Sequence, residues 1–259
     1  MDKIKGGMPR EWKEMIEREN VADEEGEIEL HIGESEKTVN LMNVKTRVLY
    51  KCLRGREVRR PAAEKVWSRV IEDMEVKRIW TNLRVKWNSS ECENFDFLLR
   101  HNRVFNNLII SKFDVNVKKE CDVCGVEVET CMHEFVECVE LQAYFQKLKR
   151  TINKCWEEKY VERMEWKELW LFGAGGKREG VSLLNYMLSH ARFAVKMRRN
   201  LAHYERRKAD VWCMFKSGLQ RNVKMMHGAL EKEDFESWFI AGSTLIRIRG
   251  DGEVQIDWG

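Results

Sequence analysis

Between positions 121 and 138 the chain carries four residues whose side chains can hold a soft metal ion: Cys121-x₂-Cys124, with Gly125 directly after it, and then His133-x₄-Cys138. Two thiols two residues apart can turn both sulfurs to one side of a tight loop, each about 2.3 Å from a shared ion. A glycine lets the backbone reverse just beyond them. His133 and Cys138 must come from a second local element. Thr130 is placed to cap a helix there, and an H-x₄-C step requires the first turn to be loosened so that both side chains aim inward. Thiolate and imidazole ligands favour tetrahedral Zn²⁺ over Mg²⁺ or Ca²⁺. With all four positions filled by protein, the expected role is structural. Cys131 is the alternative to His133 as third ligand, and the plainer reading makes these thiols ordinary buried cysteines. No third group is in place to orient a Cys131/His133 pair as a nucleophile and base, so catalysis is not expected.

The charges within this loop restrict what it can touch. Residues 121–138 include Asp122, Glu127, Glu129, Glu134 and Glu137 and no Lys or Arg. Neutralising phosphates dominates nucleic-acid affinity, and three thiolates on one Zn²⁺ would add a further negative charge. The loop therefore reads as a clamp that fixes neighbouring helices, not as a direct phosphate grip.

The elements that must position the clamp come from a chain of 259 residues with ten Trp, eleven Phe and only two Pro. Such a chain has material for a packed, mostly helical core. The 46 basic and 43 acidic residues leave a net charge of +3, so their distribution matters more than their sum. No apolar run approaches the roughly eighteen residues that a membrane span needs. Eight cysteines with no secretory signal point to a reducing compartment, nucleus or cytoplasm.

Four segments are expected. Residues 1–42 form an acidic N-terminal segment with a turn at Met8–Trp12, a short helix ending near Glu19 and an edge strand at Glu27–Ile32. Residues 43–120 form a helical subdomain. It restarts at Pro61, carries an apolar stripe through Trp67, Trp80, Leu83 and Trp87, and has a further helix capped by Ser89 or Ser90 that runs through Leu99 towards Ile110. Residues 121–150 are the zinc loop and its helix. Residues 151–259 form a second helical subdomain. Its Gly173–Gly176 run lacks the P-loop pattern and reads as a plain connection. Alternation in 244–248 and 254–258 about Gly250-Asp-Gly252 predicts a terminal β-hairpin. The fold class expected is thus mainly α, organised around the zinc loop, with a small C-terminal hairpin.

The charge distribution is most uneven over 191–224, with ten Lys or Arg against two acids. A long helix over Val181–Lys224, broken near Asp210, would place Leu183, Met187, His190, Ala194, Met197, Leu201 and Tyr204 on one face. Arg192, Lys196, Arg199, His203 and Arg206 would lie on the opposite face, extended by Arg207 and Lys208. Such a stripe is the footprint of a polyanion-binding surface. It can equally be a solvated basic face.

These residues carry a resemblance. Cys121-x₂-Cys124-Gly125, Glu129-Thr130, His133-x-Phe135-x₂-Cys138 and Tyr144-Phe145, with Pro9-x₂-Trp12, Leu49-Tyr50, Trp67 and Trp80 upstream, resemble the C-terminal zinc-binding region of the replication proteins of LINE-type, non-long-terminal-repeat retrotransposons. The resemblance spans nearly the whole chain, with its specificity in the Cys/His block. It implies a zinc-stabilised helical module that helps a reverse transcriptase handle RNA and target DNA, with that enzyme domain as a partner. The chain departs from the full protein in lacking the Asp-Asp pair of the reverse-transcriptase metal site and any endonuclease segment. The function expected is therefore a non-catalytic nucleic-acid-binding module using Arg192, Lys196, Arg199, Arg206, Arg207 and Lys208. The alternative is a protein-interaction scaffold whose basic face meets an acidic surface.

Overall fold

The computed structural model describes residues 61–258 apart from 73, 83 and 177, together with the backbone of two strands at 28–32 and 35–39. The chain divides into two compact units, 1–60 and 61–259. In the first, strand β1 (Ile28–Ile32) pairs antiparallel with β2 (Ser35–Val39), Ile28 facing Val39 and Ile32 facing Ser35. The expected edge strand thus has a partner that the charged run Ser35-Glu-Lys-Thr-Val39 did not advertise. The turn at Met8–Trp12, the helix ending near Glu19, the Leu49-Tyr50 pair and Leu83 lie outside the described residues.

The second unit is mainly α. Helix α1 (Ala62–Val70) starts directly after Pro61 and buries Trp67. The stripe read as continuing helically to Trp87 instead leaves the helix after Val70, makes a 3₁₀ turn at Val76–Trp80, and turns again with positive φ at Asn82 and Trp87. Tertiary bonds hold this path. The Arg100 guanidinium donates to the carbonyls of Ile79, Thr81 and Phe172 at 2.7, 2.8 and 3.1 Å, and Asn82 donates to Ala174 O. Carbonyls that a helix would have used internally are thus aimed at a buried cation. Helix α2 (Ser90–Arg100) is capped as expected, the Ser89 hydroxyl accepting from Cys92 N. It ends at Arg100, and a one-turn helix α3 (Asn107–Ile110), capped by Asn106, takes up the remaining apolar residues.

After the Cys/His loop, α4 (Gln142–Cys155), the single turn α5 (Tyr160–Arg163) and α6 (Trp166–Phe172) pack Tyr144, Phe145, Trp166 and Trp170 into a set of edge-to-face and stacked rings. The Gly173–Gly176 connection is held by Asn185, whose amide accepts from Ala174 N and donates to Ala174 O. Gly173 has φ +78°, and a Cβ there would lie 2.3 Å from Asn185 Oδ1, so no other residue fits.

Helix α7 (Val181–Glu205) and helix α8 (Val211–Ala229) form a hairpin, not one continuous rod. The break falls where the sequence placed it. Arg206 takes the left-handed conformation, and the Asp210 carboxylate caps α8 by accepting from Cys213 N at 2.8 Å. The one-turn helix α9 (Lys232–Phe235), a π turn over Glu236–Ile240 and the hairpin of β3 (Ile246–Ile248) with β4 (Val254–Ile256) complete the unit. Ile246 pairs with Ile256 across the hairpin, and Trp258 packs on Phe215 and Trp212.

Helix α7 is the axis of the unit, with side chains from Val181 to Arg199 buried on nearly every side. Its buried groups titrate accordingly. Burial pushes the His190 imidazole down to about 4, against a smaller opposing pull from Asp96. The unfolded chain accepts a proton near pH 6.5 that the folded chain refuses until about pH 4. Stability should therefore fall as pH drops through that window, by up to about 3 kcal/mol. A His190→Phe variant is expected to flatten this part of the profile in urea denaturation at pH 7 and 4.5.

Candidate metal centre

Cys121, Cys124, His133 and Cys138 come together, their ligating atoms all within 4.8 Å of one another. The loop is built for this. Gly125, at φ +72°, donates its N–H to Cys121 O at 2.7 Å and reverses the chain after the second thiol. The backbone N–H groups of Val123 and Cys124 point at the Cys121 sulfur. An isolated bridge between Glu120 and Val128 closes the base of the loop. Thr130 caps the second element, its hydroxyl accepting from His133 N at 2.9 Å.

The loosening required by the H-x₄-C spacing takes a definite form. Residues His133–Glu137 make a π turn, closed by a Cys138 N–H to His133 O bond of 2.9 Å. The i→i+5 step brings residues five apart to one side, which an α turn does not. His133 Nε2 then lies 3.3 Å from Cys124 Sγ. The neighbouring Cys138 pushes the Cys121 thiol up, with burial adding to it, and Cys121 in turn draws the Cys138 thiol down. Cys131 is buried outside the cluster, its thiol pushed up by burial and by Glu134. Of the two candidates for third ligand, the structure places His133 in the cluster.

The acids of the loop have partners on α7. Glu129 Oε1 accepts from Arg199 Nε at 2.9 Å. Asp122 is 2.6 Å from His203 Nδ1 and 3.2 Å from Arg206. Glu134 lies 3.6 Å from Lys196 Nζ, beyond hydrogen-bond reach. One further pair joins α7 to α2: Arg192 donates to both oxygens of Asp96 at 2.9 and 2.7 Å. Burial alone would raise the Asp96 carboxyl, but the Arg192 guanidinium outweighs it and holds the group below the usual carboxylate range.

This arrangement corrects the reading of Arg192, Lys196 and Arg199 as a solvent-facing basic stripe. Arg192 and Arg199 are 2% and 1% exposed, and Lys196 also donates to Phe105 O. None of the three presents a free cation to a phosphate. Periodicity correctly put them on one face of α7, but that face is covered by α2 and the acidic loop. Arg206, Arg207 and Lys208, in the α7–α8 turn, are exposed. Arg100 and Arg198, both buried, were not singled out by the sequence. Arg100 sits four residues after Asp96, both in step with the apolar positions Cys92, Phe95 and Leu99 of α2; a charge in phase with an apolar stripe was the available signal.

No described helix is long and apolar enough to cross a membrane. Comparison of the chain with family models, curated proteins and solved structures finds no match in any of the three.

Proposed function

We propose that Cys121, Cys124, His133 and Cys138 hold one Zn²⁺ and that the chain is a zinc-stabilised, non-catalytic module that binds RNA or DNA. The donor set fits that ion: three sulfurs and one imidazole nitrogen, all from protein. Bound zinc would supply a cross-link between the Cys121–Cys124 turn and the π turn and so fix the three acids that meet α7.

The observation that carries the nucleic-acid reading is at the α4–α8 face. Trp212, half-buried, has Lys147 Nζ 5.9 Å and Lys216 Nζ 6.0 Å from its ring centroid. The exposed residues Arg206, Arg207 and Lys208 precede it in the connecting turn. The ion pairs of Arg206 and Arg207 there are exposed and weak enough to exchange for phosphate. An aromatic ring among cations is the pattern that stacks a base while holding its backbone. The proposed surface is therefore shifted from the middle of α7 to its C-terminal turn and the start of α8.

Titration of a single-stranded oligonucleotide at several salt concentrations tests this. A Lys147→Glu/Lys208→Glu/Lys216→Glu variant should lose affinity and about 2 units of salt slope, each phosphate contact on a single strand contributing about 0.7. Trp212→Ala should weaken binding by about 1–3 kcal/mol if one base stacks there. Equal affinities and slopes for wild type and variants would remove the nucleic-acid reading. The scaffold reading is favoured by a different fact: Arg192, Lys196 and Arg199 already meet acids of the same chain. It gains ground if neither RNA nor DNA binds.

A further inference from the structure

Two tryptophans that take no part in the surfaces described above face one cation. Lys86 Nζ lies 4.6 Å from the centroid of the Trp87 ring and 4.9 Å from that of Trp238. Both distances are inside the range over which the negative face of an indole attracts a positive charge. The rings are all that holds this ammonium: Lys86 is exposed, and no carboxylate among the described residues pairs with it.

Each ring is fixed independently of the lysine. Residues 85–88 form a turn, closed by Asn88 N–H donating to Val85 O at 3.1 Å. Both ends of the turn are anchored, Val85 by burial and Asn88 by donating from Nδ2 to Ser189 Oγ on α7 at 2.7 Å. Trp87 takes the third position at φ +67°, a place that ordinarily falls to Gly or Asn. Positive φ is costly for a bulky side chain. Strain of this kind persists where neighbours over-determine it, ligand clamps among them. Trp238 comes from the π turn after α9, next to the buried Phe239. Both indoles are half-buried against the core.

The lysine is the replaceable part. Confining its long side chain costs rotamer freedom, which offsets much of what two exposed cation–π contacts return. A primary ammonium is also compact and strongly hydrated, so it gives up water reluctantly to rest on an aromatic face. A trimethylammonium group spreads the same charge over methyls that leave water readily and can touch both rings. We propose that Trp87 and Trp238 form a binding site for a trimethylammonium group, which Lys86 fills as a built-in competitor in the free protein. The site shares no residue with the Cys/His cluster or the α4–α8 face and is independent of the function proposed above. Choline and Nε-trimethyl-lysine both carry the required group.

Three probes are titrated against the full chain: choline, the neutral alcohol in which tert-butyl replaces its trimethylammonium, and N-acetyl-Nε-trimethyl-lysine amide. Binding is read from the indole N–H resonances of nitrogen-labelled protein, the Trp238 signal being the one lost in Trp238→Leu. Choline should bind at least about fivefold more tightly than the neutral alcohol, which has its shape without its charge. Lys86→Ala changes only an exposed side chain, so it is expected to fold. It should tighten choline binding at least about twofold, by emptying the fraction of sites that the lysine fills. Trp238→Leu should weaken choline binding by about two- to fivefold, the loss of one ring. Tighter binding of the trimethyl-lysine amide than of choline would support the site and assign it to a modified side chain, and the reverse order would support it and assign it to a free small molecule. Equal affinities for choline and the neutral alcohol would overturn the proposal. So would choline binding to Lys86→Ala no more tightly than to the wild type.

Discussion

Cys138→Ser is expected to lower stability by more than about 4 kcal/mol, placing it among the largest single-residue losses, and to reduce bound zinc below half an equivalent. The loss has two sources. Structural zinc binding contributes folding free energy directly, on the order of 10–16 kcal/mol in small finger peptides, and less in a chain with a large aromatic core of its own. The second is specific to this fold. Releasing the Cys121–Cys138 loop frees Asp122, Glu129 and Glu134 from their places beside α7, so three buried or half-buried cationic or imidazole groups lose their partners. Metal analysis and urea denaturation measure the two effects. His133→Cys, which preserves a four-ligand soft donor set, should retain most of the zinc and stability, whereas Cys131→Ser should leave the metal content unchanged. Equal zinc loss in Cys131→Ser and Cys138→Ser would contradict the ligand assignment.

The second large effect belongs to the buried pair Glu129–Arg199. Arg199→Met should cost about 3–5 kcal/mol, because it leaves the Glu129 carboxylate enclosed with no countercharge. Adding Glu129→Gln should recover much of that loss, since the amide oxygen can still accept from Asn107 N, as Glu129 Oε1 does at 2.9 Å, without carrying a charge. The double-mutant cycle therefore predicts a coupling well above the range for exposed pairs. Arg207→Met, in the exposed turn just after the same helix, serves as the comparison and should change stability by less than about 0.5 kcal/mol. Equal effects at positions 199 and 207 would show that the middle of α7 is solvated after all.

How far these features could be read from sequence depended on the distance between interacting residues. The four candidate metal ligands lie within eighteen consecutive positions, and their spacing required the loosened turn that His133–Glu137 forms. The Ser89 cap, the break before Asp210 and the terminal hairpin were legible for the same reason, because each is specified by its own few residues. Helical periodicity also placed Arg192, Lys196 and Arg199 on a common face. It could not say what covers that face, because the covering groups are Asp96, Glu134 and Glu129, 62 to 96 positions earlier in the chain. The acid-only loop and the cation-rich helix were two halves of one electrostatic match, each conspicuous alone and explained only together. The path from Val70 to Trp87 escaped the reading differently: Arg100 and Asn82 draw backbone groups into tertiary bonds that no local pattern specifies.

The separation between loop and helix also orders events during synthesis. Glu129 is made seventy residues before Arg199, and Asp122 eighty-one before His203. At about 5–20 residues per second, the ribosome takes roughly 4–16 s to cover those distances. From Cys138 onward, sixty-one residues before Arg199, the four proposed metal ligands are all present, while the loop's acids still face water. With zinc bound as proposed, the nascent chain can close this knot first, its acids turned to water, until α7 emerges carrying the cations that turn the knot inward.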